Sequence, residues 1–264
     1  MSWVITGQSV NAPLLDVYSG AAAAYSLRQL QSGSYPVVRV RRSNDNAEQD
    51  FTATEVSDGT LAAWVGAGNN GILRTWYDQS GNNRHSSLFG SLPSWKIVDN
   101  GTLVTSSGLA AINTTDATQN ASKRITIPGL AGLTRADYFF VKETSDVIYM
   151  TPGSATSGGI GYGWVAHQAS STAAGGNNFG TPTLYANGAL QSVATRDDVY
   201  NALNGRKLET TINASFAAWT DFTLCFYGGF GMDALIQEFI VYGTDQSTNR
   251  TAIEANINAH YSIY

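Results

Sequence analysis

From Ser94 onward the sequence repeats one pattern: a short apolar, aromatic or β-branched run, then a turn rich in glycine, asparagine or aspartate. The runs are "SWKIVD", "GTLVTS", "KRITIPG", "DYFFVKE", "DVIYMTP", "YGWVAHQ", "PTLYANG", "RKLETTIN", "FTLCFYGG" and "LIQEFIVYG", mostly 8 to 20 residues apart. Period-2 runs punctuated this way are strands, and many short strands at regular spacing make a sandwich or jelly roll. The composition agrees. Charged residues are only 13% of the 264 while glycine numbers 27, a profile suited to strands joined by tight turns. The expected fold class is therefore all-β.

The rest of the chain fits around that sandwich. Residues 1–13 read as a short polar arm ending at Pro13, and 14–264 as the folded domain. "SGAAAAYSLRQL" has helix-forming alanines and Leu27 and Leu30 at i, i+3, so a short helix is expected over 22–30. "YPVVRVRRS" alternates Val38 and Val40 against Arg39 and Arg41, which is a half-buried strand. A second helix is expected over 58–66, opening on Ser57 and Asp58, carrying Leu61, Trp64 and Val65, and stopped by Gly66 and Gly68. "LYANGAL" is an Asn-Gly hairpin. Near the C-terminus Ile253, Ile257 and Tyr261 recur every four residues, the apolar stripe of a helix over 247–260 lying on a sheet.

Several function classes are excluded or disfavoured. A net charge of −5 offers no basic footprint for nucleic acid. No stretch reaches the roughly 18 apolar residues of a membrane span, and "MSWVITGQSV" lacks the basic and apolar regions of an export signal. The single Cys225 in "FTLCFYG" has no partner in the chain and reads as a core residue. "GSATSGGIGYGW" lacks the Gly-Lys-Ser/Thr ending of a phosphate loop. His85, His167 and His260 stand apart from one another and from any metal-ligand spacing, so neither a cofactor nor a metal is expected.

The densest local chemistry lies in "TWYDQSGNNRH", residues 75–85. Trp76 and Tyr77 continue a strand, so one ring is expected in the core and the other at the surface. Gly81 and Asn82 suit positive φ. Asp78, Ser80, Asn82 and Asn83 are residues that bond their own backbone in turns. Two functional readings compete with that plain one: an aromatic platform rimmed by polar groups for sugar, and a calcium site using oxygens of Asp78 and Asn82.

Two resemblances follow from these residues. "LYANGAL" with "IQEFIVYGTDQSTNRTAIEANINAHY" resembles the C-terminal part of concanavalin A-like, laminin-G-type jelly rolls. "AAAAYSLRQL", "VVRVRRSNDNAEQDF" and "TWYDQSGNNRH" together resemble the opening of the catalytic sandwich of B-type α-L-arabinofuranosidases, and versions of that module in bacteriophage virion proteins. The resemblance implies a concanavalin A-like jelly-roll β-sandwich with a few short helices. It also implies where a retaining glycosidase of this kind would keep its two carboxylates. One belongs in an acidic stretch after a Trp-Gly-Tyr-Gly-like segment, but Gly159 to Gly180 holds no Asp or Glu. The other belongs after a Gly-Gly pair, but Phe230 follows Gly228-Gly229. The enzymes' vicinal cysteine pair is missing too.

Among acids that could substitute, Glu238 alternates with Ile236 and Ile240 and reads as a structural acid; Asp233 is a displaced alternative; Asp146 and Asp197-Asp198 read as turn acids. A fold carries no function by itself. The expectation is a non-enzymatic bacteriophage virion protein, a head decoration or a tail or fibre component, made in the host cytoplasm without a signal peptide. It would be present in many copies, touching other virion proteins through its arm and holding host-surface or environmental glycans. The candidate glycan-binding residues are Trp76, Asp78 and Asn82 in one stretch, and Tyr162, Trp164, Asn177 and Asn178 in another. The alternatives are a glycoside hydrolase or depolymerase with a relocated acid pair, and a shell protein that binds no sugar.

Overall fold

Ala234–Tyr242 is the strand around which the protein is built. Along one edge it pairs antiparallel with Ala136–Thr144. Along the other it meets Ala21–Ser26 at its C-terminal end and Ile112–Asn113 at its N-terminal end. The computed structural model describes residues 12–89, 95–115, 124–154, 162–177, 179–224, 226–227 and 230–264. From one edge the 12-stranded sheet runs Ala189–Gln191, Gly180–Ala186, Gly205–Ala214, Ala136–Thr144, Ala234–Tyr242, Ile112–Asn113, Lys96–Asp99, Gly71–Trp76, Pro36–Arg42, Glu48–Thr52, with Ala21–Ser26 and Thr102–Leu103 paired off this path onto Ala234–Tyr242 and Lys96–Asp99. A six-stranded sheet, which includes Ile148–Ser154 and Tyr162–His167, faces it. The all-β sandwich expected from the punctuated runs is the observed architecture, and each of the ten runs contains a strand.

The two central strands are buried on both faces. Tyr138 and Phe140 point into the cluster between the sheets, with Trp164, Phe179, Phe222 and Phe239. Phe139 and Val141 point the other way, onto a second cluster closed by Ile253, Ile257 and Tyr261 of the helix Arg250–Tyr261. Burying a large apolar side chain is worth roughly 1.5–3 kcal/mol. That explains why "DYFFV" shows no polar alternation.

Local expectations fared unevenly. The C-terminal helix and its stripe are as expected, and Asn187 and Gly188 take the positive φ values, 52° and 76°, of an Asn-Gly hairpin. The helix expected over 22–30 is instead the strand Ala21–Ser26. Alanine favours helix, yet so short a helix is marginal alone. The strand ladder on Ala234–Tyr242 buries Ala23 and Tyr25 on one face and Ala24 on the other. Two short helices stand in this region, an unexpected Ala53–Ser57 and then Thr60–Val65, which is the helix expected over 58–66. The first opens on a capping box of Thr52 and Glu55 that lies upstream of the expected start. An unexpected helix, Arg196–Leu203, is capped by Thr195 and Asp198, so the Asp197-Asp198 pair, read from sequence as turn acids, lies in the first turn of a helix. Among the described residues no helix is long and apolar enough to cross a membrane. Cys225 lies outside the described residues.

Candidate carbohydrate-binding cleft

The 75–85 stretch leaves the sheet at the end of Gly71–Trp76 and returns at Ser86, whose backbone N–H donates to the Trp76 carbonyl at 3.0 Å while its hydroxyl accepts from Trp76 N at 2.8 Å. As strand alternation requires, Trp76 faces inward, fully buried beside Tyr25 with ring centroids 5.6 Å apart. Tyr77 faces outward and is half-buried. Trp76 therefore offers no ring face to a sugar.

The fold also spends both carboxylate oxygens of Asp78 and the side-chain nitrogen of Asn82, which removes Asp78 from the ligand set and fixes the Asn82 amide. Asp78 Oδ1 accepts from Ala24 N at 2.9 Å and Ser80 N at 2.9 Å; Oδ2 accepts from the Ser80 hydroxyl at 2.8 Å and Arg84 N at 3.0 Å. With both oxygens filled by donors, the carboxylate pins the loop and presents nothing to calcium. Asn82 Nδ2 donates to the carbonyls of Ala21 and Ala22. Buried Gln79 completes the attachment, accepting from Leu30 N and donating to the Ser26 and Arg28 carbonyls. The left-handed residues are Gly81 and Asn83, so the second positive φ falls one residue after the expected Asn82.

What the pinned loop presents is a different set of residues. Tyr77, Gly81, Asn83 and His85, together with Gln31, Tyr35 and Pro36, line a cleft of about 320 Å³ whose floor includes Asp78 and Gln79. That is the lower end of the range for small-ligand sites. Tyr77 is held from two sides: its hydroxyl donates to Asp50 Oδ1 at 2.8 Å, and His85 stands edge-on to its ring at 4.9 Å. Asp50 is gripped by Arg39 through two bonds of 2.7 and 2.9 Å, which hold its carboxyl below the usual range. Burial, with the bond to Asp50, pushes the Tyr77 phenol up to about 12. His85 Nδ1 accepts from Asp78 N at 3.2 Å, so the neutral ring carries its proton on Nε2. Tyr35 and the donor Nε2 of His85 were missed from sequence. The available signal was an aromatic residue ending the polar run "QSGSYP" next to a proline.

The second proposed stretch is placed differently. Trp164 is only 5% exposed, donates its indole N–H to Thr211 Oγ1 at 2.9 Å, and meets the buried Phe179 edge-on at 5.5 Å. It bridges the sheets and is no surface platform. Asn178 lies outside the described residues, as do the side chains of Tyr162 and Asn177, whose backbones belong to strands.

The acids are equally constrained. Glu238 is fully buried in a bidentate pair with Arg28, at 2.7 and 3.0 Å, and also accepts from the Ser26 hydroxyl at 2.7 Å. Asp233 donates its backbone N–H to Asp146 Oδ2 at 2.5 Å, and its carbonyl accepts from the Thr144 hydroxyl. Burial pushes both carboxyls up, and the charge of Asp233 adds to the rise at Asp146. Asp146, read from sequence as a turn acid, is thus paired with the loop that carries Asp233. Glu209, unremarked in the sequence, is fully buried and accepts from Tyr138 at 2.6 Å and Thr151 at 2.5 Å. Gly228 and Gly229 lie outside the described residues.

Among solved structures, the chain is similar in fold to an arabinofuranosidase complexed with arabinofuranosyl-α-1,2-xylobiose, at 14% identity and a TM-score of 0.52. It is similar also to a GH54 α-L-arabinofuranosidase soaked with a cyclic sulfate inhibitor, at 14% identity and a TM-score of 0.50. Each likeness covers 90% of this chain and 62% of the other, so the chain spans less than two thirds of those enzymes' length. At such identity the likeness is one of fold. No family model matches the sequence, and no curated protein matches it either.

Proposed function

We propose that this protein is a non-hydrolytic, glycan-holding β-sandwich displayed in many copies on a bacteriophage particle, as a head decoration or a tail or fibre component. The observation that carries the glycan reading is the cleft in which Tyr35 and Tyr77 rings stand beside His85 and the amides of Gln31 and Asn83. Aromatic faces that take the C–H side of a sugar, with adjacent donors for its hydroxyls, make a sugar site. The virion setting is supported by the resemblance of the 21–85 motifs to versions of this module in virion proteins. Residues 1–13, of which 1–11 lie outside the described residues, are the segment assigned to particle partners.

The absence of hydrolysis is supported by how the substitute acids are used: Glu238 is locked to Arg28, and no acid occurs from Gly159 to Gly180. A second reading, an α-L-arabinofuranosidase-type hydrolase, is favoured by one observation: Asp146 and Asp233 sit together with raised carboxyls at the loop preceding Ala234–Tyr242. The test pairs two assays on the full chain. Multivalent protein on a glycan array is expected to bind, and an aryl arabinofuranoside is expected to stay uncleaved. Turnover that disappears in Asp233→Asn or Asp146→Asn would establish the hydrolase instead.

A further inference from the structure

Tyr35 is placed by Gly33. Gly33 has φ +122°, and a Cβ built there would clash with the Tyr35 hydroxyl oxygen and lie 2.7 Å from Cζ. The Tyr35 ring thus rests on the bare glycine backbone, with its hydroxyl donating to the Ser32 carbonyl. The turn below is tied down in its own right: Asp16 accepts from Ser32 N at 3.1 Å, and Gln29 Nε2 donates to the Gln31 carbonyl at 2.8 Å. Although 36% exposed, Tyr35 is a seated wall, facing a cleft whose other wall, Tyr77, is fixed by Asp50 and His85.

The charges around the cleft are arranged one way. Among the described residues, no Lys or Arg lines it. The nearby cations point elsewhere: Arg39 is bound to Asp50 by both arms of its fork, and Arg84 donates to the Ala22 carbonyl while its Nε lies against Gly129. Asp78, an acid, is among the residues at its floor. A sulfated, sialylated or uronate sugar would bring its anion to a site without a guanidinium or ammonium and above an existing negative charge, whereas anion recognition relies on those groups.

Building on the glycan reading above, we infer that the cleft takes an uncharged saccharide between Tyr35 and Tyr77, and that Gly33 is a positioning residue that sets the gap by seating Tyr35. Neutral hydroxyls meet His85 Nε2–H and the Gln31 and Asn83 amides, and the sugar's C–H face meets a ring.

The test uses the full chain, displayed in many copies on beads, against neutral gluco-, galacto- and arabino-oligosaccharides and the sulfated and uronic acid counterparts of each. The expected result is binding to a neutral probe, at least tenfold weaker in Tyr35→Ala and in Gly33→Ala, with the melting temperature unchanged in Tyr35→Ala and lowered in Gly33→Ala by the strain at φ +122°. Tyr35→Ala removes an exposed ring and keeps the test decisive if Gly33→Ala strains the turn. Preference for an anionic probe, or neutral binding indifferent to both variants, overturns this inference while leaving a glycan-holding protein. No binding to any probe overturns the glycan reading and this inference together.

Discussion

The Tyr77 hydroxyl donates to Asp50 Oδ1 at 2.8 Å, joining the residue that opens the 77–85 loop to Glu48–Thr52, the edge strand of the large sheet. This bond links the half-buried tyrosine ring of the loop to the Arg39–Asp50 pair and fixes the ring's plane. Tyr77→Phe keeps the ring and removes the tether. We expect a stability loss of about 1 kcal/mol or less, since the pair is partly solvated. A several-fold drop in bead-bound glycan affinity is expected alongside it. Denaturant melts and binding curves on the same preparations measure both.

Burial of the Tyr77 hydroxyl, together with this bond, predicts an alkaline effect. The Tyr77 phenol is held near 12 in the fold, against about 10 in an unfolded chain. Between those values the folded state retains a proton that the unfolded state has released, so stability is fully present below about pH 10 and falls as pH rises toward 12. Wild type should lose more stability than Tyr77→Phe across that window. The difference in phenolate absorbance between the two proteins should rise near 12; a rise near 10 would show the tether absent in solution.

Glu238 and Arg28 form an enclosed ion pair on the central strands of the large sheet, with side chains 0% and 12% exposed. Glu238→Ala strands a guanidinium whose remaining side-chain bond is to Asn256 Oδ1. Breaking such a pair by removing one partner costs about 3–5 kcal/mol. Urea unfolding should register that loss, whereas a catalytic role would leave stability nearly intact and abolish turnover.

Trp164→Ala should behave as a core truncation. Its indole fills the space beside Phe179 and bonds Thr211 between the sheets. A loss of about 3–5 kcal/mol is expected. Glycan binding by the fraction that remains folded should be unchanged, which native-state separation before the binding assay would resolve.

Much of this protein is legible in sequence because the relevant physics is local. Alternating runs, the Asn187-Gly188 turn and the Ile253, Ile257, Tyr261 stripe each state their structure within a few residues, since backbone period and turn chemistry act at that range. That one of Trp76 and Tyr77 faces inward and the other outward follows from the same period, and the fold decides that Trp76 is the inward one. Tertiary structure decided what local preference left open or misstated. The alanine run at 21–24 prefers helix, and becomes strand because Ala234–Tyr242, far along the chain, supplies its ladder and its burial. Glu238 finds Arg28 across a separation of 210 residues, so its structural use could be weighed beforehand but its partner could not be named. The cleft is likewise nonlocal. Asp78 and Asn82 have the composition of a sugar site, but the Asp78 oxygens and the Asn82 side-chain nitrogen went to backbone of the Ala21–Ser26 strand and of their own loop, while Tyr35 arrived from the turn before Pro36–Arg42. Residue type is written in the sequence; which atoms remain unspent after packing is settled only when distant strands compete for them.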